Sequence, residues 1–265
     1  MSSLFAEVVQ DQFDDVIYYA TAASLSCQIN NTVTGLQLSL AGYDEKLPQL
    51  LFTVLELIVK FDVSEQRFSK LKEKKKRKYS NFLQQNPYMF VTYLTELALE
   101  HPKWSMFEYL QVIDEVTLPA FKEHVRRLFV RLHYEMMVVG NFTREEASNL
   151  SLKVDELLKP RAPFPAQLLT KRVVQLEDKS NYVYSIKSLN QDETNHAIQV
   201  YYQVGFFGDT RKSVLLQLFS RLTSNHCYDT LRTKQQLGYV VFSGVNNEAN
   251  VVGFRGWSFS QFYSI

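Results

Sequence analysis

A run near the end of the chain constrains the fold most strongly, because it joins a helical pattern directly to a strand. Apolar residues recur at helical spacing as far as Leu231, and Gly238 follows where a helix or a turn ends. Tyr239–Phe242 is then a short run of β-branched and aromatic residues, which favours a strand. Arg232 therefore lies near a helix end and Tyr239 begins a strand just past a tight turn, so both side chains can point to one place.

Arg232 and Tyr239 are hydrogen-bond donors of two kinds. The guanidinium is always charged and presents a planar fork of N–H groups, and the phenol adds a neutral O–H. Such donors suit a developing negative charge or a peptide carbonyl. The alternative from the residues alone is that Tyr239 is half-buried packing and Arg232 is a surface residue of a helix.

Apolar spacing and capping residues predict an α+β chain. Helices are expected over Glu7–Cys27, from Pro48, after an Asp62 cap, from Asn86, around Trp104–Leu110, after Thr117, after the capping box Thr143–Glu146 and after Asp209 or Thr210. Strands are expected over Thr32–Leu40, Arg131–Val139, Arg172–Leu176, Tyr182–Ile186, Ala197–Val204 and Tyr239–Phe242. Because βαβ spacing is absent, the pattern predicts antiparallel sheets with helices packed on one face.

One Pro-rich stretch, Lys159–Pro165, predicts an extended connection between two units. We expect a first domain over 1–160, a linker over 161–171 and a second domain over 172–265. The second unit is much the shorter, so it is expected to be incomplete. Its exposed strand edges and its apolar tail Phe259–Ile265 are expected to favour self-association.

Composition excludes several partner classes. The formal net charge is +1, so no global field attracts nucleic acid or an anionic membrane. No apolar run reaches the length of a membrane span, and no basic-then-apolar signal begins the chain. Cys27 and Cys227 are the two cysteines, so a disulfide framework is not indicated. We expect a cytoplasmic protein.

The basic run Lys72–Lys78 lies inside a predicted helix. One hypothesis is a nuclear address or an anion-binding patch. The other is a solvated helix, which the pattern favours because consecutive helical residues surround the axis. Lys75 falls on the apolar stripe, where its methylenes are expected to cover apolar surface while the ammonium reaches water.

No metal site is evident among the five histidines, which are His101, His124, His133, His196 and His226. None of them begins the pattern His-x-x-Glu-His. The nearest pattern is His133 with Glu135, and two side chains do not make a zinc site. His133 is therefore interpreted as an ordinary strand residue. Cys27 and Cys227 lack an evident histidine partner, so a cysteine nucleophile is not indicated.

Six stretches of the chain resemble the insulysin-like branch of the pitrilysin-type zinc metallopeptidase family, and they come in the family's order: Tyr19–Ala23, Gly35–Tyr43, Val116–Pro119, Gly140–Thr143, Ile198–Gln203 and Asp229–Gly244. The resemblance covers about residues 3 to 255. It matches the family's third domain and the first part of its fourth. Around Trp257 the tail departs from the family pattern.

The resemblance implies roles for four residues. Arg232 would hydrogen-bond peptide carbonyls, and Tyr239 would donate to the oxyanion of the tetrahedral intermediate. Tyr228 matches an aromatic that lines the pocket beside the scissile bond. Cys227 matches a cysteine linked to the family's thiol sensitivity. The family holds its zinc in a first half that this sequence does not match, so the chain is expected to bind no cofactor and to cradle peptides without cleaving them alone.

Two other functions stay open at this point. The chain could be an interaction or regulatory subunit that docks onto a full-length or zinc-bearing family member. It could also be a catalytically silent peptide-binding module that acts alone. The family resemblance further implies a peroxisomal or mitochondrial location as an alternative to the cytoplasm.

Because the histidines lack ligand spacing, we predict that the purified chain binds zinc no better than an unrelated protein. Metal analysis after dialysis measures this. Stoichiometric zinc would contradict the prediction.

Overall fold

The structure is a computed structural model that describes residues 1–190 and 192–260. The helices are α1 (Ser2–Val16), α2 (Tyr18–Ala22), α3 (Leu47–Val59), α4 (Glu65–Phe82), α5 (Pro87–Leu99), α6 (Met106–Ile113), α7 (Leu118–Leu128), α8 (Arg144–Leu158) and α9 (Thr210–Tyr228). The strands are β1 (Ser26–Asn31), β2 (Leu36–Ala41), β3 (Glu100–His101), β4 (Arg172–Val173), β5 (His196–Phe206), β6 (Val240–Glu248) and β7 (Val251–Ser260). All pairings in the described residues are antiparallel, which confirms the α+β class.

The chain forms two compact units, each built from two segments. Unit 1 comprises residues 1–78 and 110–170, and unit 2 comprises 79–109 together with the described residues from 171 onward. The domain boundaries expected from the sequence stay a prediction. Of the apolar tail expected at Phe259–Ile265, residues 261–265 lie outside the described part of the chain.

Unit 1 is centred on the apolar face of α1. Phe5, Val8 and Phe13 are fully buried, and Val54 of α3 and Phe121 of α7 are buried in the same cluster. Burying side chains of this size stabilises a fold by about 1.5–3 kcal/mol each. Helix α1 is therefore the element around which this unit is packed.

The helix expected over Glu7–Cys27 is interrupted at Ile17 and is wrong from Ala23 onward. Helix α1 ends at Val16, and after the short α2 the chain turns at Ser24, whose φ is 63°. Cys27 then lies in β1 and pairs with Leu40 of β2. Alternate residues of β1 are buried, so the apolar spacing there has the period of a strand rather than that of a helix.

Helix α4 begins with Ser64 rather than Asp62 as its capping residue. The backbone N–H of Arg67 donates to Ser64 Oγ at 3.3 Å. The Asp62 carboxylate accepts from the Lys122 ammonium instead, and that hydrogen bond lowers the pKa of Asp62. By contrast, the capping box predicted at Thr143 and Glu146 is confirmed at the start of α8.

The basic run of α4 is tied to neighbouring elements of unit 1. Lys72 donates to the backbone oxygens of Asp114 and Val116, and Lys76 pairs with the Asp114 carboxylate at 2.6 Å. Lys75 is buried, and its ammonium donates to Glu7 Oε1 at 2.7 Å. The expectation that the Lys75 ammonium reaches water is therefore wrong, because a partner on α1 takes the place of water.

Two segments expected to be strands carry no sheet pairing in the described residues. Residues 131–139 are extended and alternate in exposure, but Tyr134 reaches α8 through its side chain, donating to Asp155 Oδ1 at 2.8 Å. All five side chains of residues 182–186 are exposed. Alternation shows that a segment is extended, whereas a strand also needs a partner backbone at the correct distance.

Unit 2 contains the sheet β5-β7-β6, with β7 in the centre. Trp257 and Phe254 of β7 are three residues apart, so their side chains lie on opposite faces. Trp257 Nε1 donates to Thr92 of α5 at 2.8 Å and to Gln199 of β5 at 2.7 Å. On the other face, Phe254 packs edge-on against Phe219 of α9 with ring centroids 5.2 Å apart.

The segment that follows the Pro-rich stretch is anchored in unit 2 by charge. Lys171 pairs with Glu100 of β3 at 3.1 Å and also with Glu248 of β6. The Glu100 side chain is 4% exposed and also accepts from Lys103. Burial acts to raise the pKa of Glu100, but hydrogen bonds from the two lysines outweigh it and lower that pKa.

We predict that Glu7→Gln destabilises unit 1. Burial lowers the pKa of Lys75 against the opposing hydrogen bond to Glu7, so replacing the carboxylate removes a negative charge that stabilises a buried ammonium. The expected loss is roughly 2 kcal/mol in the free energy of unfolding, since Glu7 itself is partly exposed. Urea unfolding followed by circular dichroism measures it.

Glu73→Gln is the matched control. Glu73 is exposed, and its Oε1 lies 3.8 Å from Nε of Arg77 on the same helix. An exposed pair of this kind contributes less than about 0.5 kcal/mol to the free energy of unfolding. Equal destabilisation by the two variants would show that the Lys75 pair has no special role.

Candidate functional site

The candidate site is built on an irregular helix end in unit 2. Helix α9 begins at an Asp209 cap, whose side chain accepts from Lys212 N at 3.0 Å, as the sequence predicts. After Tyr228 the helix widens into a π-helix over Asp229–Lys234. π-Helical turns are rare and are frequent at functional sites. The sequence pattern did not reveal this one, because apolar spacing does not distinguish the two kinds of turn.

The chain then reverses within a few residues. The N–H of Gln235 donates to the Thr230 carbonyl at 2.9 Å, and the N–H of Leu237 donates to the Leu231 carbonyl at 2.8 Å. Gln236 adopts a left-handed φ of 52°, so the reversal occurs two residues before the glycine that the sequence suggested. This turn returns the chain to the helix end and starts β6.

Arg232 lies between two tyrosine rings. Its guanidinium carbon is 4.9 Å from the centroid of the Tyr239 ring and 5.0 Å from that of Tyr228. Nη1 of Arg232 donates to the phenolic oxygen of Tyr228. The structure thus places Tyr228, Arg232 and Tyr239 in one cluster, which we call the Arg–Tyr cluster.

The cluster is open to solvent. The Tyr239 side chain is 76% exposed and Tyr228 is 44% exposed. The one carboxylate of the π-helix, Asp229, is held by Lys234 at 2.7 Å. Among the described residues Arg232 forms no ion pair, so most of its N–H donors are available to a ligand.

Tyr239 directly precedes β6, which lies at an edge of the sheet. Phe242, on β6, is also exposed and packs edge-on against Trp257 with centroids 6.5 Å apart. Two aromatic rings and a guanidinium therefore line the start of an edge strand. Such a surface offers charged donors for carbonyl or anionic oxygens and apolar area for side chains.

Cys227 directly precedes Tyr228 in the sequence. In the described part of the chain, no hydrogen bond joins its thiol to the cluster. It is a free, half-buried thiol at the end of α9. Cys27 lies in unit 1, buried in β1. Burial raises the pKa of Cys27 to about 11, which keeps it as an unreactive thiol.

His226 is the histidine nearest to the cluster in sequence, and it is an exposed residue in the last turn of α9. His124 contacts Ser2 Oγ at 3.0 Å, and burial lowers its pKa. His133 and Glu135 approach within 3.5 Å on an exposed segment. In the described part of the chain, no three His, Cys, Asp or Glu residues gather closely enough to hold a metal ion. Residues 1–190 and 192–260 also include no helix whose length and apolar character suit a membrane crossing.

Sequence reasoning missed the polar contacts that support the sheet beneath the cluster. Thr92, Gln199 and Trp257 form a closed hydrogen-bonded triangle between α5, β5 and β7. Nothing in the sequence links a threonine to a tryptophan so far along the chain. The one sequence feature noted near Trp257, where the tail departs from the family pattern, does not indicate that its indole forms hydrogen bonds.

Two family models match the chain. Residues 1–112 match the middle or third domain of peptidase M16, and residues 115–262 match the inactive domain of peptidase M16. The chain is 35% identical to human (Homo sapiens) insulin-degrading enzyme over 96% of its length and 25% of that protein. It is 30% identical to the peroxisomal insulin-degrading enzyme-like 1 of Arabidopsis thaliana, over 96% of this chain and 27% of that protein.

The fold has a counterpart among solved structures. The crystal structure of pitrilysin superposes with a TM-score of 0.83, covering 98% of this chain and 27% of pitrilysin at 20% identity. The chain thus spans about a quarter of the length of the curated relatives it matches.

We predict that a thiol-alkylating reagent distinguishes the two cysteines. Since the thiolate is the reactive form, iodoacetamide at about pH 8 should label Cys227 and spare Cys27 in the folded chain, and label both in urea. Mass spectrometry after digestion measures each site. A Cys227→Ser control should take up no label when folded, and labelling of Cys27 at equal rates in both conditions would contradict its burial.

Proposed function

Because the chain belongs to the peptidase M16 family, we propose that it is the substrate-cradling C-terminal-half portion of an insulin-degrading-enzyme-like zinc metalloendopeptidase. The observation that carries the proposal is the Arg–Tyr cluster, a half-buried guanidinium beside two exposed tyrosines at the start of an edge strand. The family membership supports peptide hydrolysis as the reaction that such a cluster would serve. The activity of a whole enzyme is part of the proposal, since the chain corresponds to about a quarter of its relatives.

In this proposal each member of the cluster has a role. Arg232 hydrogen-bonds peptide carbonyls, and Tyr239 donates its O–H to the oxyanion of the tetrahedral intermediate. Preorganised donors of this kind stabilise charge as it develops. Tyr228 lines the pocket and fixes the Arg232 guanidinium through the hydrogen bond to its phenolic oxygen. Cys227 acts on the cluster only as its neighbour, so modification of its thiol perturbs Tyr228.

The described residues do not fit a zinc ion, because they gather no set of three ligands. In the proposal this chain therefore supplies no zinc ligands. The proposed enzyme holds zinc in another polypeptide or another part of a longer one, and this chain by itself cradles peptides without hydrolysing them. Its proposed partners are peptide substrates and a zinc-bearing half or a full-length relative.

A second candidate function is a non-catalytic interaction subunit that docks onto a zinc-bearing relative or associates with itself. An uncovered apolar surface in unit 2 favours it. Alternate residues of β5 are exposed beside α9, including Ile198, Val200 and Tyr202. Leu215 and Leu222 of α9 are exposed as well. Several exposed apolar side chains in one unit are typical of an interaction surface. Light scattering of the pure chain distinguishes self-association from a monomer that needs a different partner.

The proposed location is the cytoplasm, with the peroxisome as the alternative. The Arabidopsis relative carries "peroxisomal" in its name, which supports the alternative.

Mixing tests the proposed function. The chain alone should hydrolyse no fluorogenic peptide, and it should raise hydrolysis when added to a zinc-bearing amino-terminal half of an insulin-degrading enzyme. Tyr239→Phe should lower kcat in the mixture by about 10²–10³, the usual effect of removing one oxyanion donor. Arg232→Gln should lower kcat/KM, because it removes hydrogen bonds to the peptide carbonyls. Hydrolysis rates with and without a chelator measure this.

Arg221→Gln is the matched control, because Arg221 is an exposed arginine of α9 outside the cluster. It should leave the rate of the mixture unchanged. Hydrolysis by the isolated chain, or a mixture in which Tyr239→Phe is as active as the unmodified chain, would contradict the proposal.

A further inference from the structure

Strand β6 presents an unpaired edge next to the Arg–Tyr cluster. It pairs with β7 from Val240 opposite Phe259 to Glu248 opposite Val251. Within residues 1–190 and 192–260, no strand pairs with its other side. An edge strand leaves alternate N–H and C=O groups without partners, and an extended peptide can add to such an edge as a further strand.

The start of this edge carries an uncompensated positive charge. Tyr239 directly precedes Val240, and the Arg232 guanidinium lies 4.9 Å from the centroid of the Tyr239 ring. Arg232 uses Nη1 on Tyr228, and the nearby Asp229 carboxylate is taken by Lys234. A planar guanidinium with vacant N–H groups is complementary to a carboxylate.

From these two features we infer that the site binds extended peptides that end in a free C-terminal carboxylate. The peptide backbone pairs with the free edge of β6, and its terminal carboxylate accepts from Arg232 and from the Tyr239 hydroxyl. The inference rests on the proposed function, because cleavage of a peptide bond creates such a carboxylate. The site would therefore retain the amino-terminal product, or a peptide that already ends there.

The position of the charge sets the direction of the peptide. Arg232 and Tyr239 lie at the amino-terminal end of β6, so a carboxylate there requires the peptide to run antiparallel to β6. That direction continues the antiparallel order of β5, β7 and β6. An antiparallel strand exchanges pairs of backbone hydrogen bonds at every second residue.

Side chains beside the edge indicate which peptides fit. Phe242 is exposed on the face that carries Trp257, with the two ring centroids 6.5 Å apart. A peptide residue that pairs near Phe242 would place its side chain against this ring. We therefore infer a preference for apolar or aromatic residues close to the carboxyl end. At the far end of β6, Glu248 is paired with Lys171, so the free positive charge at this edge lies at its amino-terminal end.

Fluorescence anisotropy with the full 265-residue chain tests the inference. The probes are labelled apolar peptides of about six residues, the length of an ordinary strand. One ends in a free carboxylate, a second in an amide, and a third in an amide with aspartate as its last residue. The free acid should bind at least about tenfold more tightly than the amide, which corresponds to about 1.4 kcal/mol. Arg232→Gln should abolish that difference, and Arg221→Gln should preserve it.

N-methylation tests the pairing with the strand edge. Single N-methyl groups placed at successive peptide positions should weaken binding at every second position, because only alternate N–H groups face β6. A uniform effect, or none, would overturn edge pairing. Circular dichroism of each variant shows that the compared chains are folded.

The outcomes separate this inference from the function on which it rests. Acid and amide peptides that bind equally, with both losing affinity in Arg232→Gln, would overturn carboxylate recognition and leave the peptide cradle standing. An aspartate amide that binds as tightly as the free acid would overturn recognition of the chain terminus. Absence of binding by every peptide to the folded chain would overturn both proposals.

Discussion

The hydrogen bonds that close the π-helical turn after Tyr228 determine the rest of the candidate site. They let the backbone reverse between Gln235 and Leu237, with Gln236 in the left-handed region. Without that reversal Tyr239 would continue away from the helix, and Arg232 would contact only Tyr228. The irregular turn therefore brings Arg232 and Tyr239 together in one cluster. The cluster lies at the start of an edge strand.

Several polar contacts connect the sheet beneath the cluster to neighbouring elements of unit 2. Trp257 Nε1 is shared between Thr92 and Gln199, and Lys171 connects Glu100 to Glu248. Buried polar groups stabilise a fold only when they are paired. The partners in these contacts come from elements that are distant in sequence, so the contacts form only when those elements are assembled. One face of β5 remains exposed, and the second candidate function gives that face a partner.

Local sequence signals predicted the helices well and the strands less well. The Thr117 cap, the Thr143–Glu146 capping box and the Asp209 cap are all confirmed, because a cap depends on residues a few positions apart. Residues 131–139 and 182–186 have strand-like composition, yet in the described residues they pair with no other strand. Whether a partner backbone is present is a property of the whole fold, and composition does not contain it.

The candidate site also combines features that local sequence signals predict with features that depend on the whole fold. The nearness of Arg232 and Tyr239 was predictable from a helix, a turn and a strand in succession. The insertion of Arg232 between two rings was not, since the π-helix has no sequence signature of its own. The Lys75–Glu7 pair was missed for a related reason, because a lysine on an apolar stripe does not indicate which carboxylate will meet it.

Hydrogen exchange of the chain with and without a bound apolar peptide tests the central claim most directly. The account predicts slower exchange in the segments that contain the π-helix and β6, residues 229–248, and little change in unit 1. Exchange that slows instead over β5 and the exposed side of α9, with residues 229–248 unaffected, would contradict it. The Arg–Tyr cluster would then not be where peptides bind.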